Sequence, residues 1–420
     1  MIIKSAVGQL VVDWWVARPA APHAPKTNPQ MLKAITLPPK IPMHIHKVLS
    51  APRLECVIRC RTQALIRRTS DLMGKVVIVG AGIIGLYTAL LLSERGMGPD
   101  VTVVAKDMPG DLSIDYTSPI AGAHFSVLFG AGDPRMTRFC RLSYQMLKKL
   151  FKKFANHLEE AGLGRLPQIQ FFDKPKTPEE IKSFEYAENF ETITDKDELA
   201  LRSSKYGIRY DTFNFYSPKF LLFLKKYLLS QGVTFVRATL KNVTDAPGAA
   251  SVRTPSVVFN CTGVLAPQLN DVTDPKRNYP VRGHVLAVRA PWIHTNYGFR
   301  DEGHPPTYVI PRLHSNGRVI LGGYYDAGDS TAGTSYEQTQ SILARTTRKM
   351  PELLKHGPLE VLDERAGLRP GRDGGPRIER EYINGLPVIH NYGAGGTGFQ
   401  CGLAMAQDAI DLYLDNKSKL

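Results

Sequence analysis

From about residue 74 onward the hydrophobic positions fall into short runs separated by glycine-rich turns. The first run, Val76–Val79, is entirely β-branched (Val-Val-Ile-Val) and has the length of a buried strand. It meets Gly80, Gly82 and Gly85 in G-x-G-x-x-G spacing, and a helical periodicity follows over residues 83–94. A second apolar run, Val101–Ala105, completes a strand–helix–strand unit. In such a unit the first glycine makes the tight turn and the second lets backbone approach a pyrophosphate. The third lets helix and strand pack closely. The anion then rests on the free N–H groups at the helix start. Residues 76–92 carry no charge, but they are slightly short for a membrane span and the three glycines interrupt them.

Downstream, apolar residues at spacings of three and four predict a long helix over residues 136–161, and a second helical stretch covers 220–229. Strands are expected at 233–240, at Val257–Asn260, and at 285–288, 308–310 and 319–323. Residues 367–370 (Gly-Leu-Arg-Pro) and 371–376 read as one compact loop. A last strand over 387–392 runs into Gly393-Ala-Gly-Gly-Thr-Gly398 and a helix over 399–414. Two glycine-rich loops at helix starts, far apart in sequence, fit one large cofactor gripped at both ends, FAD over NAD. The expected fold is α/β: a Rossmann-type FAD-binding domain (about 73–125, 230–265 and 365–415) with a mixed or antiparallel substrate domain (about 126–229 and 266–364).

Composition changes the picture mainly at the start. The net charge is +14, but residues 1–73 hold 11 Lys/Arg against 3 Asp/Glu, so the remainder is only mildly basic. That balance suits an anionic small-molecule substrate and does not call for nucleic acid. Residues 1–72 carry 8 of the 30 prolines and little periodicity. They read as a disordered arm, a transit segment, or sequence upstream of a true start at Met73. Five scattered cysteines argue against a disulfide framework, and Cys56 and Cys60 lack the second pair a zinc site needs. No metal is expected. The tripeptide Ser418-Lys-Leu420 matches the address read by the peroxisomal import receptor, so a peroxisomal location is expected. A homo-oligomer is left open.

Seven stretches together resemble the D-amino-acid oxidase and D-aspartate oxidase family of flavoproteins, with a flavour closer to the aspartate oxidases. They are 77–86 (Val-Ile-Val-Gly-Ala-Gly-Ile-Ile-Gly-Leu), 118–123 (Ser-Pro-Ile-Ala-Gly-Ala), 258–263 (Val-Phe-Asn-Cys-Thr-Gly), 279–284 (Tyr-Pro-Val-Arg-Gly-His), 308–312 (Tyr-Val-Ile-Pro-Arg), 367–370 and 390–393 (His-Asn-Tyr-Gly). The resemblance implies non-covalent FAD and hydride transfer from the substrate Cα to flavin N5. The imino acid then hydrolyses to a 2-oxo acid and ammonia, and oxygen is reduced to hydrogen peroxide. It implies that Arg369 holds the substrate α-carboxylate and that Tyr308 bonds the same group. Tyr325 is the implied second active-site tyrosine, with Tyr324 as its substitute.

The expected cofactor contacts are Gly80, Ala81, Gly82, Ile83, Ile84 and Gly85 in the first loop. Lys106 and Asp107 close the second strand, where the fold expects a ribose-binding acid. Ser113, the small residues Ala121, Gly122 and Ala123, and Leu240 and Gly263 follow. Gly395, Gly396, Thr397, Gly398, Phe399 and Gln400 belong to the last loop. Arg300, in a loop that the family folds over the substrate side chain, would pair a second carboxylate, with His124 as an additional donor near the flavin. The expected substrate is D-aspartate or a similar acidic D-amino acid, with oxygen as co-substrate. The alternatives are a broad oxidase for neutral D-amino acids, a glycine or sarcosine oxidase, and a non-catalytic flavin- or dinucleotide-binding protein.

Overall fold

The computed structural model describes residues 74–127 and 133–417. The arm 1–72, Met73, Cys56, Cys60 and the tripeptide Ser418-Lys-Leu420 lie outside the described residues.

Six strands form the first sheet: β1 (Val76–Val79), β2 (Val101–Ala105), β6 (Thr234–Arg237), β7 (Val257–Asn260), β14 (Arg377–Ile383) and β15 (Leu386–Tyr392). Their order is β14-β15-β7-β1-β2-β6, all parallel except the β14–β15 hairpin. β1 sits inside this sheet with both faces covered. Val76 and Ile78 join a core with the helices on one side, and Val77 and Val79 join a second core on the other. That two-sided burial is why the strand is a continuous apolar run rather than an alternating one. Helix α1 (Ile83–Ser93) leaves β1 through the glycine loop and packs against helix α5 (Gly398–Lys417). Gly402 permits the approach, since a Cβ there would stand 2.8 Å from Ile84 Cδ1.

The second sheet holds β3 (Leu163–Phe172), β4 (Glu191–Ile193), β5 (Tyr206–Phe215), β8 (Asn278–Arg289), β9 (Asn296–Arg300), β10 (Thr307–Pro311), β11 (Arg318–Gly322), β12 (Asp326–Ala327) and β13 (Glu360–Arg372). The order is β12-β8-β11-β10-β9-β3-β5-β4, with β13 on the other side of β8. Only β3 and β9 pair in parallel, so the sheet is mixed. Among the described residues no helix is long and apolar enough to cross a membrane.

Two expectations need correction. The helix expected over 136–161 is broken. Helix α2 covers Pro134–Lys153, started by Asp133, whose carboxylate accepts from Arg135 N at 2.8 Å. It ends where Phe154 leaves helical geometry and buries its ring against Phe223 and Tyr227, at centroid distances of 5.0 and 5.1 Å. Tertiary packing there overrides the apolar periodicity. The expected loop at 367–376 is mostly strand. Gly367 to Arg372 belong to β13, with Arg369 opposite Val281 and Gly371 opposite Tyr279. Gly371 is there because a side chain would strike the Tyr279 ring, 2.6 Å from the ideal Cβ. The turn itself is confined to residues 373–375, where Gly374 and Gly375 have φ values of +73° and +79°.

Candidate active site

The two sheets meet around an elongated cavity of about 570 Å³. At one end the carboxyl ends of β1 and β2 open onto it, which is where parallel α/β sheets place their ligands. Gly80 has φ +108°, and a Cβ there would come within 2.4 Å of the Cys261 carbonyl oxygen. Gly82 and Ile83 start α1, and Ile83 N donates to Ser118 Oγ at 3.0 Å. Tyr116 adds a second tie, its hydroxyl donating to Ala81 O at 2.8 Å. The glycine loop is thus held open from outside rather than filled by side chains.

Lys106 and Asp107 line the same end. Lys106 is drawn to Asp115 at 3.4 Å, while Asp107 has no ion-pair partner among the described residues and is free to accept from a ribose. Ala121, Gly122, Ala123, Leu240 and Gly263 also line the cavity, as do Gly395, Gly396, Thr397, Gly398, Phe399 and Gln400. The last loop is clipped to β13 by Gly395 N donating to Pro370 O at 2.8 Å.

Two expected cofactor contacts are not in the lining. Gly85 lies behind the loop, where a Cβ would stand 2.0 Å from Gly80 O, so its role is packing of helix on strand. Ser113 Oγ instead accepts from Tyr116 N at 3.1 Å and shapes a turn. Residues passed over by sequence reasoning include Ser118, Tyr116, Thr117, Ser126, Gln268 and Gly283. Ser118 and Gly283 stood inside motifs whose neighbours drew the attention; the others carry no local signal.

The opposite end gathers Arg369, Tyr308, Tyr325, Arg300 and His124. Arg369 projects from β13, and its guanidinium lies against Gly283 of the neighbouring β8. A Cβ on Gly283 would meet Nη1 at 2.4 Å and Cζ at 2.6 Å. Arg369 Nη1 donates to Tyr324 O at 3.0 Å, and Cζ lies 5.6 Å from the Tyr325 ring centroid. Tyr325 is 55% exposed and lines the cavity. Tyr324 does not line it; its ring lies against Arg345, 5.3 Å from Cζ to centroid. Tyr308 in β10 rests on Gly322 and Gly323, where added Cβ atoms would come within 2.1 and 2.5 Å of its ring and hydroxyl. Arg345 holds this wall by donating to Pro305 O, Pro306 O and Gly323 O.

Arg300 is the last residue of β9 rather than part of a loop. Its side chain keeps exposed surface and lines the cavity, and partial desolvation by the surrounding protein lowers its pKa from the ordinary value. Among the described residues neither Arg300 nor Arg369 has a carboxylate within ion-pair distance. His124, half-buried, lines the same cavity. Burial, then the charge of Arg300, push its pKa down to about 4, so at neutral pH the ring is uncharged. The carboxylates lining the cavity are Asp107 and Asp115, both at the β2 end.

A family model described as FAD dependent oxidoreductase matches residues 75–412. The chain belongs to the FAD-dependent D-amino-acid oxidase family. It is 38% identical over 345 residues to a D-amino-acid oxidase from Schizosaccharomyces pombe, covering 81% of this chain and 96% of the relative. It is 30% identical over 363 residues to a D-aspartate oxidase from Talaromyces thermophilus, covering 81% of this chain and 95% of that one. In fold it is similar to an L-alpha-glycerophosphate oxidase from Mycoplasma pneumoniae solved with FAD bound. That match has a TM-score of 0.58 and 16% identity, over 81% of this chain and 94% of the other.

FAD is therefore the cofactor, and the residues fit it. The glycine loop and start of α1 would hold the pyrophosphate, Asp107 the ribose, and residues 121–123 with the start of α5 the flavin. Cys261 lines the cavity, but burial raises its thiol pKa to about 12, so it is a poor nucleophile toward the flavin.

Proposed function

We propose that this oxidase acts on acidic D-amino acids, D-aspartate foremost, giving the 2-oxo acid, ammonia and hydrogen peroxide. The observation that carries the reading is the pair of arginines, Arg300 and Arg369, lining one cavity without carboxylates of their own. A dicarboxylate satisfies both; a neutral amino acid satisfies one and leaves the other charge desolvated and unpaired. Arg369 takes the α-carboxylate by two parallel charge-assisted bonds, and the Tyr308 hydroxyl donates to the same group. Arg300 takes the side-chain carboxylate. His124, being neutral, can donate one N–H without adding a further charge. FAD, when bound, supplies the two-electron acceptor that oxygen regenerates. With no carboxylate base at the substrate end, these side chains act by position.

The second reading is a broad oxidase for neutral D-amino acids. It is favoured by the higher identity to the relative named D-amino-acid oxidase, 38% against 30%. Specificity constants for D-aspartate and D-methionine separate the two. In Arg300→Met, kcat/KM for D-aspartate is expected to fall at least about tenfold, since a hydrogen bond to a charged group contributes about 1.5–3 kcal/mol. D-Methionine oxidation should hold or improve. Arg369→Met should abolish both. An unchanged substrate ratio in Arg300→Met would leave the broad reading standing.

We also propose peroxisomal delivery through Ser418-Lys-Leu420, which suits a peroxide-forming enzyme. A fluorescent fusion should be punctate, and removing Leu420 should disperse it.

A further inference from the structure

A second, smaller cavity of about 270 Å³ lies on the same sheet, beyond an apolar partition. The partition is Ile120, Val285, Ala287, Ile310 and Ile320, which pack together as a separate cluster. Ile120 and Val285 show one face to each cavity. Arg312, Arg318, Arg365 and Tyr216 give the second cavity its character.

Arg312 is only 9% exposed. Its Nη2 donates to Ala121 O at 2.8 Å and to Ser217 Oγ at 3.1 Å, and its Cζ lies 5.2 Å from the Tyr216 ring centroid. Its Nε is buried with no partner. Arg318, half-buried, has no side-chain hydrogen bond or ion pair among the described residues. Both carboxylates in the lining are already engaged. Asp363 pairs with Arg365 at 2.6 Å, and Asp111 pairs with Arg237. Helix α3 (Ser217–Ser230) starts at the rim, adding the positive end of its dipole. A guanidinium nine-tenths buried with no counter-ion is a costly arrangement. Its pKa is lowered to about 10, first by burial and then by the charges of Arg318 and Arg365, with Tyr216 and Asp363 only partly offsetting them.

We propose that this cavity is a binding site for a small divalent oxyanion, seated between Arg312 and Arg318. The guanidinium geometry matches phosphate or carboxylate oxygens. The volume lies below the roughly 300–1,000 Å³ of sites for drug-sized ligands and admits phosphate or a short dicarboxylate. The site is separate from the amino-acid cavity and is joined to it through Arg312, which also grips the Ala121 carbonyl on the cofactor wall.

The test is calorimetric titration of the FAD-loaded enzyme with inorganic phosphate, and separately with malonate, at ionic strength held constant with chloride. The wild type should show saturable binding of one or both. That binding should weaken about tenfold or more in Arg318→Glu and in Arg312→Gln, the loss of one charged hydrogen bond, and persist in Arg300→Met. The separate titrations tell phosphate from malonate as occupant, and Arg300→Met tells the cavities apart, because malonate bound in the main cavity would be lost in that variant, which would count against the second site for malonate. Arg318 makes no side-chain bond within the protein, so Arg318→Glu decides even if Arg312→Gln does not fold. No saturable binding of either anion in the wild type, or equal binding in Arg318→Glu, would overturn the proposal.

Discussion

At the residue scale the chemistry rests on charges left without partners. Arg202, Arg282, Arg372 and Arg377 are buried or nearly so and each is paired with carboxylates or carbonyls of the protein itself. Among the described residues Arg300 and Arg369 have no carboxylate partner, Arg369 being held only by the Tyr324 carbonyl, and both line the cavity. His124 shows the same environment from the other side. Its pKa falls from 6.5 to about 4 because burial and then Arg300 penalise the protonated ring. Above pH 6.5 neither folded nor unfolded chain protonates it, so it has no effect on stability there. As pH falls from 6.5 toward 4 the unfolded chain takes up a proton that the folded one refuses, and stability drops. Denaturation midpoints measured across that window should therefore slope less in His124→Gln than in the wild type. Equal slopes would mean that the folded protein protonates His124 as readily as water-exposed histidine.

At the scale of elements, neighbouring strands set the site by what they omit. Arg369 needs Gly283 on β8 beside it, and Tyr308 needs Gly322 and Gly323 on and after β11. Gly283→Ala places a methyl where the guanidinium lies. The arginine head can swing away, so the thermal midpoint should stay close to wild type. A displacement of about 1 Å can nevertheless cost on the order of a hundredfold in rate. A fall of that size in kcat/KM is expected for acidic and neutral D-amino acids alike. Gly85→Ala should do the opposite. Its methyl would meet backbone, the Gly80 carbonyl oxygen, which cannot swing aside. The expected outcome is a lower thermal midpoint, from about 1–3 kcal/mol of overpacking, and weaker flavin retention. If Gly85→Ala kept full flavin and Gly283→Ala lost its fold, this division of roles would be wrong.

At the scale of the whole molecule, both sheets and both glycine loops close on one cofactor, so binding and stability are linked. Added FAD should raise the thermal midpoint in a concentration-dependent way. Acid precipitation should release the flavin to the supernatant, because Cys261 is kept as a neutral thiol. Flavin retained in the pellet would show a covalent link.

The order of residues is enough for the parts whose signal is local. The β1–α1 glycine loop, the strands Val101–Ala105 and Val257–Asn260, and the final loop and helix each announce themselves through a short run and the turn that follows. Arg369 and Tyr308 were legible because their motifs are contiguous. Other features depend on residues far apart in the chain and emerge only on folding. Gly-Leu-Arg-Pro is a strand and not a loop because β8 supplies its hydrogen-bond partners from some 90 positions away. Tyr325 and not Tyr324 faces the cavity because Arg345, on helix α4 (Tyr336–Lys349), draws the Tyr324 ring aside. Among the described residues no carboxylate reaches Arg300 or Arg369, and a missing contact has no signature in the order of residues.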